Sequence, residues 1–356
     1  MKDIFFRVGS RVRRRKLKFL DVLAWCACRP ERFTAARQAR QLTLNRPLPL
    51  NQQHWRAGRK SRPILFEVIM NKSFDFSPAA VAALAKADVA RALAEDVGAG
   101  DLTAGLVDPQ SGAQAHVRAR EAAVICGRDW VDATVLQLDP AARLVWHVRD
   151  GERCAPDQVV LELHGRAQAL LTAERTALTF LQLLSAVASK TARYVAQVQG
   201  TRAQIVDTRK TLPGLRLAQK YAVRMGGGTN HRIGLYDAVL IKENHIAAAG
   251  GIAQVLARAA AVAGQADFVE IEVETLAQLA EALDAGARMV LLDNMDLPTL
   301  RQAVRLNQGR AILEISGGVT LEGLRSLAET GVDRISIGGL TKDVRAIDFS
   351  MRFEAL

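Results

Sequence analysis

From about residue 203 onward, short apolar runs rich in Val and Ile alternate with helical stretches: AQIVD (203–207), DAVLI (237–241), FVEIEV (268–273), RMVLL (288–292), AILEI (311–315) and RISI (334–337). Apolar runs of this length, bounded by loops and separated by helices, predict buried parallel strands in βαβ units. Residues 70–185 have another rhythm. Helical ALAKADVARALAEDV gives way to AQAHVRARE, AVICG, ARLVWHVRDGE and QVVLELHG with turns between them, and then to a long helix around LLTAERTALTFLQLLSAVASKTARYVAQVQ. Strands followed by a helix in this order predict a separate α+β domain over 70–185, and the βαβ units an α/β barrel with a C-terminal segment over 186–356. Ser77 followed by Pro78 makes an N-cap and N1 pair for the first helix.

Residues 1–69 show no sustained helical or alternating period, and they hold the charge. They carry 17 Lys/Arg against 4 Asp/Glu, so a chain of net charge +11 leaves −2 for everything after them. Three explanations compete: a targeting segment, a basic arm for RNA, DNA or anionic lipid, or a translation start at Met70 with the upstream codons annexed. The aperiodic extension and the helix start soon after Met70 favour the third. The apolar FLDVLAWCAC is short, carries Asp21 and offers no small-residue cleavage site, and no run approaches a membrane span of about 20 residues. Four cysteines (Cys26, Cys28, Cys126, Cys154) have neither metal spacing nor the number for a disulfide scaffold, so a reduced cytoplasm is expected.

Polar residues sit just beyond the apolar runs: Arg209 and Lys210, Lys242, Glu272, Asp293, Ser316 with Gly317 and Gly318, and Gly338 with Gly339. In an α/β barrel these strand ends converge on one mouth. The segment from Asp207 to His245 holds seven Lys/Arg against three acids, which points to a small polyanionic ligand. Arg209 offers a planar fork for carboxylate or phosphate and Lys210 a point charge. Lys242, flanked by Glu243, reads as an anion clamp rather than a Schiff-base amine. His245 reads as a packing or hydrogen-bonding histidine. Arg216, Lys220 and Arg224 share one helix face, for which a solvated surface is the expected reading. Gly226, Gly227 and Gly228 then turn the chain toward His231 and Arg232. Glu270, Glu272 and Glu274 alternate toward one face, and with Asp293 they make a fair site for Mg²⁺ held partly through waters and ligand oxygens. The two glycine loops suit backbone contact with phosphate.

Taken with ALLTAERTAL (169–178), EIEVETL (270–276), LLDNM (291–295), ISGGV (315–319), IGGLT (337–341) and EDVGAGDLT (95–103), the 207–245 segment resembles quinolinate phosphoribosyltransferase, the carboxylating nicotinate-nucleotide pyrophosphorylase. The resemblance runs from about Met70 to near the C-terminus and covers nothing in 1–69. It implies an N-terminal α+β, sandwich-like domain joined to the open α/β barrel of the type II phosphoribosyltransferases. It implies transfer of phosphoribosyl from 5-phosphoribosyl 1-pyrophosphate to quinolinate with decarboxylation, giving nicotinate mononucleotide, pyrophosphate and CO₂ for NAD biosynthesis. The enzyme would be a cytoplasmic homodimer, with higher oligomers left open.

Carried over by residue, Arg175 would be lent across the dimer interface to quinolinate. Thr208, Arg209, His231, Arg232 and Lys242 would line the quinolinate pocket, with Lys210 nearer the phosphoribosyl donor. Glu272 and Asp293 would serve the ribose and Mg²⁺, and Ser316, Gly317, Gly318, Gly338, Gly339 and Leu340 the 5′-phosphate. Lys210, Glu272 and Asp293 are the expected catalytic residues. Thr179, Ala186, Gln168 and Met225 stand where family members commonly have Asn, Gly, Arg and Cys, which bears on local packing rather than on the reaction. Two other readings remain: a paralogous phosphoribosyltransferase-like enzyme acting on another aromatic acid, and nucleic-acid binding through the basic arm. The −2 body weighs against the latter, so neither nucleic acid nor membrane is an expected partner.

Overall fold

The computed structural model describes residues 74–355, so every expectation for residues 1–69 lies outside the described residues. Helix α1 (Pro78–Asp96) opens behind Ser77, with Pro78 at its first position. The Ser77 hydroxyl donates to Asp75 rather than capping the helix. Strands β1 (Gly112–Ala119) and β2 (Ala123–Val124), helix α2 (Arg128–Leu138), and strands β3 (Arg143–Trp146), β4 (Arg153–Cys154) and β5 (Val159–Arg166) follow. Helix α3 (Ala167–Val198) then runs for 32 residues.

The second half begins with β6 (Gln204–Val206), α4 (Arg216–Met225), β7 (Val239–Ile241), α5 (Glu243–Ala249), α6 (Ile252–Ala260) and β8 (Val269–Val273). It continues with α7 (Leu276–Asp284), β9 (Met289–Asp293), α8 (Leu297–Asn307), β10 (Ile312–Ser316), α9 (Leu324–Ala328), β11 (Arg334–Ser336) and α10 (Gly339–Lys342), and ends at β12 (Phe349–Ala355). All six runs expected to be strands are strands.

They form one parallel sheet in the order β6-β11-β10-β9-β8-β7. The last strand in sequence therefore lies beside the first, and the ring is open between β6 and β7. Within the sheet Asp293 is in register with Ser316, Ile315 with Ile335, and Ser336 with Val206. This brings strand ends distant in sequence to one rim. Strand β9 reads Met-Val-Leu-Leu-Asp, with its four apolar residues buried, as expected for a strand covered on both faces.

The other large sheet is antiparallel, β12-β1-β5-β3. The sequence grouped the C-terminal segment with the barrel, but β12 returns to pair antiparallel with β1, Phe349 opposite Ala119 and Ala355 opposite Ala113, covering an edge of the first sheet. Helix α3 ties the halves together. Its Leu170, Leu178 and Leu181 pack into the core of the first sheet, Phe180 and Leu184 into a cluster with α1, α2 and α4, and Val198 into the barrel core. Each fully buried leucine is worth about 1.5–3 kcal/mol, so one element crosses three cores and holds both sheets in place. Among the described residues no helix is long and apolar enough to cross a membrane.

Candidate active site

The turn after β6 is organised by a buried ion pair. Lys220 and Asp207 are both fully buried, with Nζ 2.5 Å from Oδ1. Asp207 also accepts from Asn230 Nδ2 at 2.7 Å and from the His231 amide at 2.8 Å, and Lys220 donates to the His231 carbonyl at 2.9 Å. Burial pushes Asp207 up and Lys220 down, while their mutual attraction opposes both shifts. The solvated face expected for Arg216, Lys220 and Arg224 is therefore corrected. Lys220 answers a buried carboxylate. Arg216 donates to Thr211, to the Ile233 carbonyl at 3.1 Å and to the Arg209 carbonyl at 3.3 Å. Only Arg224 faces outward, its guanidinium over the Phe76 ring.

At the rim of the barrel two lobes meet. The first, about 340 Å³, is lined by Arg209, His231, Arg232 and Glu314, with Leu240 and Leu291 supplying apolar walls. The second, about 550 Å³, is lined by Asp293, Asn294, Ser316, Gly317, Gly318, Gly338, Gly339 and Lys342. Thr208, Lys210, Lys242, Glu272, Ser316 and Ser336 line both. At this junction Lys242 Nζ lies 2.5 Å from Glu272 Oε2. A lysine so placed is bound to a carboxylate rather than isolated from one.

The first lobe is electrostatically unfinished. Arg209 Nε is buried without a hydrogen-bond partner, and an orphaned charged donor carries a free-energy cost that an incoming oxygen relieves. Arg232 is half-buried and donates to the Ala238 carbonyl at 3.2 Å. Burial, and then the neighbouring Arg209 charge, push its pKa down. Two guanidiniums held in mutual repulsion favour a shared anion.

Below them lies a buried quartet. His231 Nε2 is 2.9 Å from Glu270 and 3.4 Å from Glu314, and Arg334 Nε is 2.9 Å from Glu314. Three of the four offer donor atoms close enough together for a metal ion. Arg334 adds a guanidinium to this group, so the carboxylates have basic partners within the protein itself. Burial opposes a charged imidazole, but its hydrogen bonds to Glu270 and Glu314, with their charges, outweigh burial and lift His231 to about 9. The Arg232 amide approaches Nδ1 at 2.8 Å, a contact that favours the neutral ring. The two carboxylates oppose that single N–H and draw a proton toward the ring, while burial and the Glu314 charge push Glu270 itself up.

Of the expected Mg²⁺ set, Glu270 is thus engaged with His231, and Glu274 is exposed beyond the end of β8. Of that set, Glu272 and Asp293 line the lobes. Two hard oxygen donors fit Mg²⁺ held mainly through waters and ligand phosphates, and not an all-protein cage.

The remaining expected residues fall as follows. Arg175 is exposed on α3 and lines a separate cavity of about 450 Å³ with α1 and Pro213–Leu215, so it does not reach the mouth of its own barrel. Leu340 is fully buried and does not line either lobe, and its amide donates to the Ile337 carbonyl at 3.3 Å. His245 closes the start of α5, Nδ1 accepting from the Lys242 amide at 2.9 Å. Sequence reasoning missed Asn294, Glu314, Ser336 and Lys342. Ser336 was within reach, because it ends a strand as Asp293 and Ser316 do.

An open α/β barrel whose mouth joins a cation-rich, apolar-walled lobe to a glycine-lined polar lobe defines a transferase-type site for two anionic ligands. The description "Quinolinate phosphoribosyl transferase, N-terminal domain" matches residues 101–185, and its C-terminal counterpart matches 187–352. A probable nicotinate-nucleotide pyrophosphorylase [carboxylating] of Bacillus subtilis is 41% identical over 257 residues, 72% of this chain and 89% of that protein. The nicotinate-nucleotide pyrophosphorylase [carboxylating] of Mycobacterium leprae is 44% identical over 240 residues, 65% and 83% of the two chains. The solved nicotinate-nucleotide pyrophosphorylase from Francisella tularensis superposes with a TM-score of 0.74 at 41% identity, covering 77% of this chain and 97% of its own. The chain belongs to the quinolinate phosphoribosyltransferase family.

Proposed function

We propose that the barrel mouth transfers the phosphoribosyl group of 5-phosphoribosyl 1-pyrophosphate to the ring nitrogen of quinolinate, releasing pyrophosphate and CO₂ and leaving nicotinate mononucleotide. The observation that carries this reading is the pair of joined lobes: a buried unpartnered Arg209 donor beside Arg232 in one, serine and glycine loops in the other. Arg209 and Arg232 hold the two carboxylates of quinolinate, and Leu240 and Leu291 flank its ring. Ser316, Gly317, Gly318, Gly338 and Gly339 receive the 5′-phosphate.

The Lys242–Glu272 pair stands where the lobes meet, so the reacting nitrogen and the ribose C1 come together beside it. Glu272 and Asp293 stabilise positive charge on the ribose as pyrophosphate departs. Lys210, exposed at the same junction, offsets charge on the donor. The pyridinium formed by the new C–N bond then withdraws electrons from C2, that carboxylate leaves as CO₂ with its bonding pair left on C2, and a proton from water takes its place. Glu272 and Asp293 would also hold Mg²⁺, which supplies charge to the pyrophosphate.

The protein works as a homodimer, Arg175 of one chain entering the partner's first lobe; its exposure on α3, away from its own barrel mouth, supports this. Cys126 and Cys154 are free and buried, in keeping with the cytoplasm. The test is a choice of acceptor. With phosphoribosyl pyrophosphate and Mg²⁺, quinolinate gives nicotinate mononucleotide by chromatography and nicotinate gives none. Equal use of nicotinate would move the assignment to a paralogous enzyme.

A further inference from the structure

Asn294 follows the last residue of β9 and is one of three non-glycine residues with positive φ among those described, at 52°. Its side chain reaches back, Nδ2 donating to Asp293 Oδ2 at 2.7 Å. Its amide reaches across to the next strand end, donating to the Ser316 carbonyl at 3.3 Å. Its Oδ1 occupies the space beside Gly317 so closely that a Cβ there would lie 2.2 Å from it, and the Asn294 nitrogen only 3.2 Å away. Gly317 also has φ 101°, so a side chain at 317 is excluded by backbone conformation and by space alike. Asp293, Asn294, Ser316, Gly317 and Gly318 line one cavity.

We infer that Asn294 is a positioning residue that locks the Asp293 carboxylate and the Ser316–Gly318 loop into one rigid unit, fixing the distance between the ribose end and the 5′-phosphate end of the phosphoribosyl donor. This rests on the reading of the second lobe as the donor site. The chemistry of the position selects asparagine. Its amide nitrogen donates to a carboxylate, whereas aspartate would set a second negative charge against Asp293. Asparagine also tolerates left-handed backbone better than most residues, whereas glycine would keep the backbone and lose the tether and the wedge.

The test uses the full chain with three variants, Asn294→Gly, Asn294→Asp and Asn294→Ala, and reads KM separately for phosphoribosyl pyrophosphate and for quinolinate, with melting temperature alongside. Losing a hydrogen bond to a charged group is expected to raise the donor KM about tenfold or more in Asn294→Gly and Asn294→Asp, with quinolinate KM within twofold of wild type. Asn294→Ala adds backbone strain and is expected to melt lowest of the three. If wild type turns over while Asn294→Gly and Asn294→Asp keep a donor KM within twofold, the inference is overturned and the functional reading stands. A parallel rise in both KM values also overturns it, because that marks general loosening of the site. A wild type that does not use the donor overturns the functional reading itself.

Discussion

Lys220 has no exposed surface, and its ammonium shares Asp207 with Asn230 and the His231 amide, so the turn that presents His231 and Arg232 hangs on one buried pair. Removing one partner strands the other charge. Lys220→Met is expected to cost about 3–5 kcal/mol in urea unfolding, with Lys220→Met/Asp207→Asn recovering part of that loss. An effect below about 1 kcal/mol for the single variant would show that the pair is not charged. His231 gives a pH signature. Its pKa is lifted from 6.5 to about 9, so its contribution is fully present below pH 6.5 and lost as pH rises through 9, a span worth roughly 3 kcal/mol. Thermal melts from pH 6 to 10 should fall over that window in wild type and flatten in Glu270→Gln. An NMR titration showing His231 neutral across the window would contradict the lifted pKa.

At the scale of elements, the strands were legible because six apolar runs of a buried parallel sheet differ so plainly from the helices between them. Strand ends therefore located most of the rim. The helix face of Arg216, Lys220 and Arg224 was misread for a physical reason: periodicity shows which residues share a face, and only tertiary structure shows that Asp207 lies opposite. Asn294 was invisible for a related reason, since its inferred role depends on Gly317 in the loop after the neighbouring strand β10. The expectation that Leu340 meets phosphate came from the family resemblance, and in this structure the start of α10 turns its side chain into the core. The glycine run after α4 has a specific packing role. A Cβ on Gly226 would lie 2.4 Å from the Ala188 carbonyl and 2.6 Å from Thr191 Cβ on α3. Gly226→Ala should thus separate α3 from α4 and destabilise by about 1–3 kcal/mol, measured by urea unfolding. A neutral effect would show that the two helices can part without cost.

Over the whole molecule, α3 crosses three apolar cores and also carries Arg175, and Lys190 on the same helix donates to the Gly339 carbonyl at 2.7 Å and the Asp343 carbonyl at 3.0 Å. The first domain is thereby fixed to the rim of the barrel. On the proposed homodimer with its shared site, Arg175→Ala and Lys242→Ala proteins should each be inactive alone. Mixed and allowed to exchange subunits, they should regain up to about a quarter of wild-type activity, since half the dimers are hybrids with one intact site. No recovery after verified exchange would contradict the shared site. The central claim is that forming the C–N bond in this mouth drives loss of the C2 carboxyl. It is tested most directly by supplying quinolinate labelled at that carboxyl with phosphoribosyl pyrophosphate and Mg²⁺, and measuring CO₂ and pyrophosphate together. The account predicts equimolar release of the two, dependent on both substrates; pyrophosphate without CO₂, or neither, would contradict it.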